Sequence, residues 1–402
     1  MEKIRLGQIG LGARGYFLLR DELLRMPDEV TLTAVCDIYP DRVKNAQTMI
    51  EEATGKKPFG TTDAAELIAR DDVDAVLITA AWETHIPLAI AAMEAGKPIG
   101  LEVGGAYSVE DCWRLVRTYE RTRTPFMFME NCCYGERETM LVNMIRQGVF
   151  GEVVACSGGY CHDLRDEVSD GWKNRHYRLD NYIARNAENY PTHELGPIAQ
   201  MLDIHNGNRM VSLVSVASCA RGLEEYVREQ RADCPELQGL RFAQGDIVTT
   251  VIRCAGGQTI TLELDTTLPR FYSRRLAVHG TKAYYNEDAD ALFIESREAG
   301  RDHFSWLGDN RGNAVALSEE YNAPLWQEFK KSRDHVGGHG GMDTLVLRDF
   351  FAHLRSGEPM PIDVYDAAAW MSITPLSEIS IATGQTVAIP DFTGGRWHKK
   401  RK

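Results

Sequence analysis

The 402-residue chain has no apolar run approaching the roughly 18 residues that a membrane-spanning helix requires. It is also short of positive charge. Its 45 Lys and Arg stand against 58 Asp and Glu, a formal net charge of −13. That balance argues against nucleic acid or an anionic membrane as the principal partner. No CxxC pair occurs among the nine cysteines: Cys132 and Cys133 are adjacent, and Cys36, Cys112 and Cys254 sit within apolar segments. Neither a disulfide framework nor a zinc site is indicated, and no spaced set of His, Asp and Cys supports another metal. Internal repeats and low-complexity segments are lacking too. Met1-Glu2-Lys3 runs straight into a strand pattern, so no signal peptide is expected and the expected compartment is the reducing cytoplasm.

What is present begins at Ile4. A short apolar strand runs into Gly10-x-Gly12-x-x-Gly15, and Tyr16–Arg20 suits a helix. A dinucleotide pyrophosphate needs this order: one glycine for the tight turn, one for close approach of the phosphates, one for helix–strand packing. The helix N-terminus then offers free N–H groups to the anion. The next strand, Thr31–Cys36, ends in Asp37, where a ribose-binding acid belongs. Asp37 favours NAD over NADP, because a carboxylate accepts from the ribose 2′-OH and repels a 2′-phosphate. Arg42 is the nearby residue that argues the other way.

Residues 1–130 alternate strand and helix, which predicts a doubly wound parallel sheet of Rossmann type. Asp74–Thr79 reads as a buried parallel strand, followed by Ala80-Ala81-Trp82-Glu83-Thr84-His85 at its ligand-facing edge. Pro98–Glu102 and Pro125–Met129 are further strands, and Ser108 with Asp111 caps a helix over 108–122. From 131 to 402 the pattern changes to an α+β domain with a large, mostly antiparallel open sheet. Its expected strands are Val153–Tyr160, Val211–Ser218, Asp246–Cys254, Thr259–Asp265 and Ser273–Gly280. Helices are expected over Glu194–Asp203, Asp343–Leu354 and Tyr365–Ile381, the last expected to pack back on the first domain. Arg396–Lys402 is a basic tail.

Thr79-Ala80-Ala81-Trp82-x-x-His85, Glu102-Val103 and the change to a sheet domain resemble the Gfo/Idh/MocA oxidoreductases, end to end. Met129–Gly135, Tyr160–Arg165, Tyr190-Pro191-Thr192-His193, Leu264–Arg270 and Gly337–Asp343 narrow the resemblance to the NAD-dependent glycosidase branch. That branch includes the α-N-acetylgalactosaminidases of glycoside hydrolase family 109. The resemblance implies bound NAD, hydride removal from sugar C3, loss of the acidified C2 proton, elimination at C1, water addition and hydride return. The net reaction is hydrolysis, outside the two-carboxylate scheme. Four departures stand out. Val103 occupies the place of the general acid/base lysine of the superfamily's dehydrogenases, and Gly104 replaces the branch's usual proline. Glu194 stands where glycine is expected, and Ala187-Glu188-Asn189 where Gly-Asn-Leu is expected.

On this reading the cofactor is held by Gly10, Gly12, Ala13, Arg14, Gly15, Asp37, Arg42, Ala80, Trp82, His85, Glu102 and Asn131. The leading acid/base candidate is His193, with Thr192 expected to cap its helix. Tyr160 and His162 lie two apart on a strand and share a face. Tyr160 can act as a base only if nearby cations, Arg165 or Arg178, lower its pKa from about 10. Tyr272 completes the catalytic candidates; Tyr190, Tyr177, His176, Arg178 and Glu130 are the substrate-binding ones. His339 in its glycine run reads as a permissive loop, not a metal ligand. The expected substrate is a small-molecule glycoside, and family analogy points to a homodimer or homotetramer. A sugar or inositol dehydrogenase releasing NADH and a non-catalytic sugar/NAD sensor remain open alternatives, because fold alone does not settle function.

Overall fold

β1 (Ile4–Ile9) is followed by β2 (Val30–Cys36), β3 (Phe59–Thr61), β4 (Ala75–Ile78), β5 (Ile99–Leu101) and β6 (Phe126–Phe128). They form one parallel sheet in the order β3-β2-β1-β4-β5-β6. Every residue of β4, β5 and β6 is buried, as expected of strands covered on both faces, so these segments read as apolar runs without alternation. The strand order reverses between β1 and β4, the place where open α/β sheets take their ligands. This computed structural model describes residues 3–297, 306–332 and 337–398.

The chain divides into two units. The first joins Met1–Tyr134 to His335–Ala368, and the second joins Gly135–Asp334 to Ala369–Lys402. In the first unit the returning segment supplies the helix Met342–Ser356. Phe350 and Phe351 on it are fully buried, worth roughly 1.5–3 kcal/mol each in transfer from water. Phe350 packs over Gly100 of β5, where a Cβ would sit 3.3 Å from its ring. The Phe128 N–H of β6 donates to Ile362 O at 3.0 Å. Ser108 caps its helix as its position suggests, accepting from the Asp111 N–H at 3.0 Å.

The second unit is built on β7 (Val153–Cys161), β8 (Met210–Ala217), β9 (Ile247–Cys254), β10 (Thr259–Asp265), β11 (Ala277–Gly280), β12 (Ala283–Asn286), β13 (Ala291–Ile294) and β14 (Val387–Ala388). The order is β13-β12-β11-β7-β10-β9-β8-β14, with β7 and β10 parallel and the other neighbours antiparallel. The helix Thr192–Met201 packs on β7, and the helix Ile373–Thr383 packs on β8.

Two expected elements differ. The strand read from Ser273 begins at Ala277, because Arg275 adopts φ +50° and leaves Ser273 only an isolated bridge to Cys161. The stretch 365–381 is two helices, Val364–Met371 and Ile373–Thr383. Pro375 has no N–H to give the Met371 carbonyl, so the first helix stops there and the proline falls in the first turn of the next. Of the expected basic tail, Arg396–His398 forms a short 3₁₀ turn, and residues 399–402 lie outside the described residues. Among the described residues no helix is long and apolar enough to cross a membrane.

Candidate functional site

In the first unit the glycine turn has the geometry of a phosphate cradle. Gly10 sits at φ +98°, and a Cβ there would collide with the Thr79–Ala80 backbone; one on Gly15 would strike the Gly10 carbonyl. The turn is held from inside. The Thr79 hydroxyl donates to Gly10 O at 2.5 Å, and the Gln8 amide donates to Gly15 O at 2.8 Å. The helix Ala13–Asp21 starts after Gly12 with no side-chain cap and no acid in its first turn, which suits an incoming anion. Asp37 is nearly buried. It accepts the Leu11 N–H at 2.7 Å and the Tyr39 N–H at 3.0 Å, and Arg42 stands 3.6 Å away. A carboxylate has about four acceptor positions, so capacity remains for a ribose hydroxyl. The residues present fit a dinucleotide.

Around this cradle the expected residues take specific partners. Trp82 opens the helix Trp82–Glu94 and lies against Gly104, where any Cβ would meet the indole; that contact accounts for the glycine in place of the branch's proline. His85 is buried, with Nε2 2.9 Å from Ala80 O. Burial lowers its pKa to about 4, so the ring is neutral and Nε2–H is the donor. Arg14 donates to Glu102 at 3.0 Å through Nη2, and to both oxygens of Asp343 at 2.9 and 2.8 Å. The Asn131 amide also donates to Asp343 at 2.8 Å, and His339 Nδ1 lies 2.8 Å from it. Burial raises the Asp343 carboxyl, but the hydrogen bonds and charge of Arg14 and His339 outweigh this and hold it far below the usual carboxylate range. Glu130 is buried and accepts the Cys132 N–H at 3.0 Å, which caps its own turn.

The second unit gathers the aromatic and imidazole candidates. Tyr160 and His162 share one face of β7 and its extension, rings 5.9 Å apart. Tyr160 lies 4.5 Å from Tyr190 and 5.6 Å from His193, while Tyr190 and His193 are 4.8 Å apart. Tyr272, about half exposed, sets its ring edge-to-face on His162 at 5.1 Å. The Arg178 guanidinium lies 5.1 Å from the Tyr190 ring and 6.0 Å from that of Tyr160. His176 and Tyr177 stack at 4.5 Å in the turn before the helix Arg178–Ala184, and His176 Nε2 is 3.7 Å from Glu167.

Three expectations need correction. Thr192 does not cap its helix: Pro191, with φ −75°, occupies the cap position, and Thr192 is the first helical residue. His193 therefore sits one residue into the helix, still in its first turn. Arg165 is not a neighbour that acidifies Tyr160, because it is paired with Asp163 at 2.7 Å and lies over the Tyr226 ring. Nor is the Tyr160 pKa lowered. Burial raises it, and Arg178 offsets only part of that rise, so the residue is a neutral phenol near neutral pH. Burial also lowers the His162 pKa, which leaves a neutral imidazole beside the phenol.

Sequence reasoning passed over Asp343 and Glu167. Asp343 lay inside a quoted motif, directly after a glycine run and at a helix start, which is the signal that could have marked it. Glu167 carried no motif signal; only the folded positions of Arg178 and His176 single it out.

Residues 4–129 match the family model described as oxidoreductase family, NAD-binding Rossmann fold. Residues 134–399 match that described as glycosyl hydrolase 109, C-terminal domain. A glycosyl hydrolase family 109 protein of Stenotrophomonas maltophilia (strain K279a) is 39% identical over 100% of this chain and 91% of its own. Another from Shewanella sp. (strain ANA-3) is 38% identical over 99% and 86%. Among solved structures, levoglucosan dehydrogenase in complex with NADH and levoglucosan superposes with a TM-score of 0.69 at 19% identity, covering 97% of this chain and 100% of that one. Myo-inositol 2-dehydrogenase from Lactobacillus plantarum gives 0.68 at 14% identity, covering 97% and 100%. Both likenesses establish the fold, a Rossmann domain followed by an open sheet domain.

Proposed function

Since the chain belongs to glycosyl hydrolase family 109 and begins with an NAD-binding Rossmann fold, we propose that it is a glycosidase that opens its substrate by transient oxidation and elimination. The observation that carries this reading is the cluster of a neutral phenol, Tyr160, with two imidazoles, His162 and His193, each within 6 Å of its ring.

When bound, NAD supplies reversible hydride exchange at the sugar's C3. Gly10, Gly12, Ala13, Arg14, Gly15 and Asp37 are the groups that would hold and orient it, with Ala80, Trp82, His85, Glu102 and Asn131 around them. The protein's own part is proton handling. One imidazole, His162 or His193, takes the C3 hydroxyl proton on oxidation and returns it on reduction, while the Tyr160 O–H donates to the C3 oxygen, where a neutral phenol is the useful form. The other imidazole accepts the C2 proton and passes it to the aglycone oxygen, on which the C1–O electrons leave. Water adds to C1 and a proton returns to C2. Tyr190, Tyr272, Tyr177 and His176 supply aromatic surface for the sugar, and Arg178 and Glu130 supply polar contacts. Val103 stands where the superfamily's dehydrogenases carry their acid/base lysine, so proton handling at the C3 hydroxyl falls to the Tyr160–imidazole cluster instead.

Incubation with 4-nitrophenyl α- and β-glycosides without added NAD should release nitrophenol while no free NADH accumulates. NADH appearing one-for-one with substrate would overturn the reading in favour of a dehydrogenase. An NAD-loaded protein inert on every glycoside would favour a sensor.

A further inference from the structure

Arg178 is a buried guanidinium placed over two tyrosine rings, and such a charge persists only with a partner. Glu167, in the helix Arg165–Ser169, is such a partner: its Oε1 lies 3.3 Å from Arg178 Nε. The same oxygen is 3.7 Å from His176 Nε2. Glu167 is thus shared between the guanidinium behind the phenol and an imidazole in the turn before it, with its own side chain 46% exposed at the solvent end. We propose that Glu167 is a positioning residue that neutralises and aims Arg178, and so keeps Tyr160 a proton donor and sets the pH window of the Tyr160–His162 pair.

The electrostatics agree in sign with that geometry. Around the Tyr160 ring stand Arg178, Glu167 and Glu194 as charges, and His162, His193, Tyr190 and Tyr182 as titratable neighbours. Arg178 pulls the phenol down while Glu167 pushes it up. On His162 the same two residues act in the same senses. Arg178 holds the Glu167 carboxyl low against the effect of burial, with His176 adding to it, so the acid is ionised across the working range. Removing the Glu167 charge takes away the influence that opposes Arg178 at both groups, and Tyr160 and His162 then lose their protons at lower pH.

The catalytic consequence rests on the glycosidase reading, whereas the titration does not, which separates the two in one experiment. Ultraviolet difference titration of the holoenzyme carrying Glu167→Gln, against the same protein also carrying Tyr160→Phe, isolates the Tyr160 phenolate. We expect it about one pH unit or more below its position in the wild-type pair, a tenfold change in proton affinity. Glu167→Asp, which keeps the charge, should restore most of it and serves also if the glutamine variant folds poorly. In turnover, both limbs of the kcat/KM profile should move to lower pH in Glu167→Gln. A folded Glu167→Gln protein with an unmoved phenolate, or slower turnover with unmoved limbs, would make Glu167 a mere brace and overturn the proposal. A shifted phenolate without turnover on any glycoside would uphold the Glu167 assignment and overturn the glycosidase reading.

Discussion

The Arg14 guanidinium grips both oxygens of Asp343 at 2.9 and 2.8 Å, joining the phosphate turn near the start of the chain to a helix 329 residues later. Asp343 has no solvent exposure, and the Arg14 side chain is 30% exposed. Breaking a buried pair of this kind costs about 3–5 kcal/mol. Asp343→Asn should therefore lower the melting temperature and loosen NAD, because Arg14 loses its counter-charge and meets an NH2 donor in place of one of its two acceptor oxygens. The readouts are calorimetry and the NAD content after dialysis. Stability owed to this depressed carboxyl is fully present above about pH 4 and fades as the pH falls below that. The difference between wild type and Asp343→Asn should shrink in acid.

A second effect of pH has the opposite sign. Glu188 is fully buried, and burial raises its pKa to about 8, with the Tyr190 backbone offsetting only part. The folded state then binds more protons than the unfolded chain from the ordinary value of 4.5 up to about 8. Stability should fall as pH rises through that interval. Glu188→Gln carries no such proton, so its melting temperature should gain on wild type between pH 5 and 8 and hold a constant lead above. Parallel melting curves across the interval would contradict this.

His193→Ala should reduce kcat by roughly 100-fold or more, the usual scale for a lost general acid or base. The variant should keep its NAD and its melting temperature. An unchanged rate in that protein would leave His193 a helix residue packed on Tyr160 and Tyr190.

Cofactor choice turns on Asp37. Purified protein should bind NAD more tightly than NADP, and Asp37→Ser should narrow the gap by freeing Arg42 for a 2′-phosphate. Isothermal titration with each dinucleotide tests this directly, and a wild-type preference for NADP would refute it.

Turnover in deuterated water should place deuterium at C2 of the released sugar, because elimination removes that proton. A two-carboxylate glycosidase exchanges nothing there. Mass spectrometry showing no gain during verified turnover, with exchange back excluded, would rule out the elimination route.

The Rossmann sheet was legible because its signals are local: glycines that must turn, an acid at a strand end, apolar runs of strand length. The pairing of Tyr160 with His162 was legible for the same reason, since alternation along β7 decides it. Asp343 and Glu167 were not, because their meaning comes from partners brought close only by folding: Arg14 and Asn131 for one, Arg178 and His176 for the other. The condition set for Tyr160 as a base goes unmet for the same reason. Sequence shows which cations are near in number, whereas Arg165 is claimed by Asp163 and burial outweighs what Arg178 contributes.

The first unit is discontinuous, and that bears on how the protein is made. Its parallel sheet is complete in chain order by Phe128, yet Asp343, Phe350 and Phe351 are translated only after most of the second unit. At roughly 5–20 residues per second, the nascent sheet waits roughly 10–40 s for the helix that covers it and locks Arg14. During that wait an apolar face, Gly100 included, is open to the ribosome's surroundings. A stop codon or protease cut shortly before residue 335 would thus deprive the cofactor turn, more than 300 residues upstream, of its clasp.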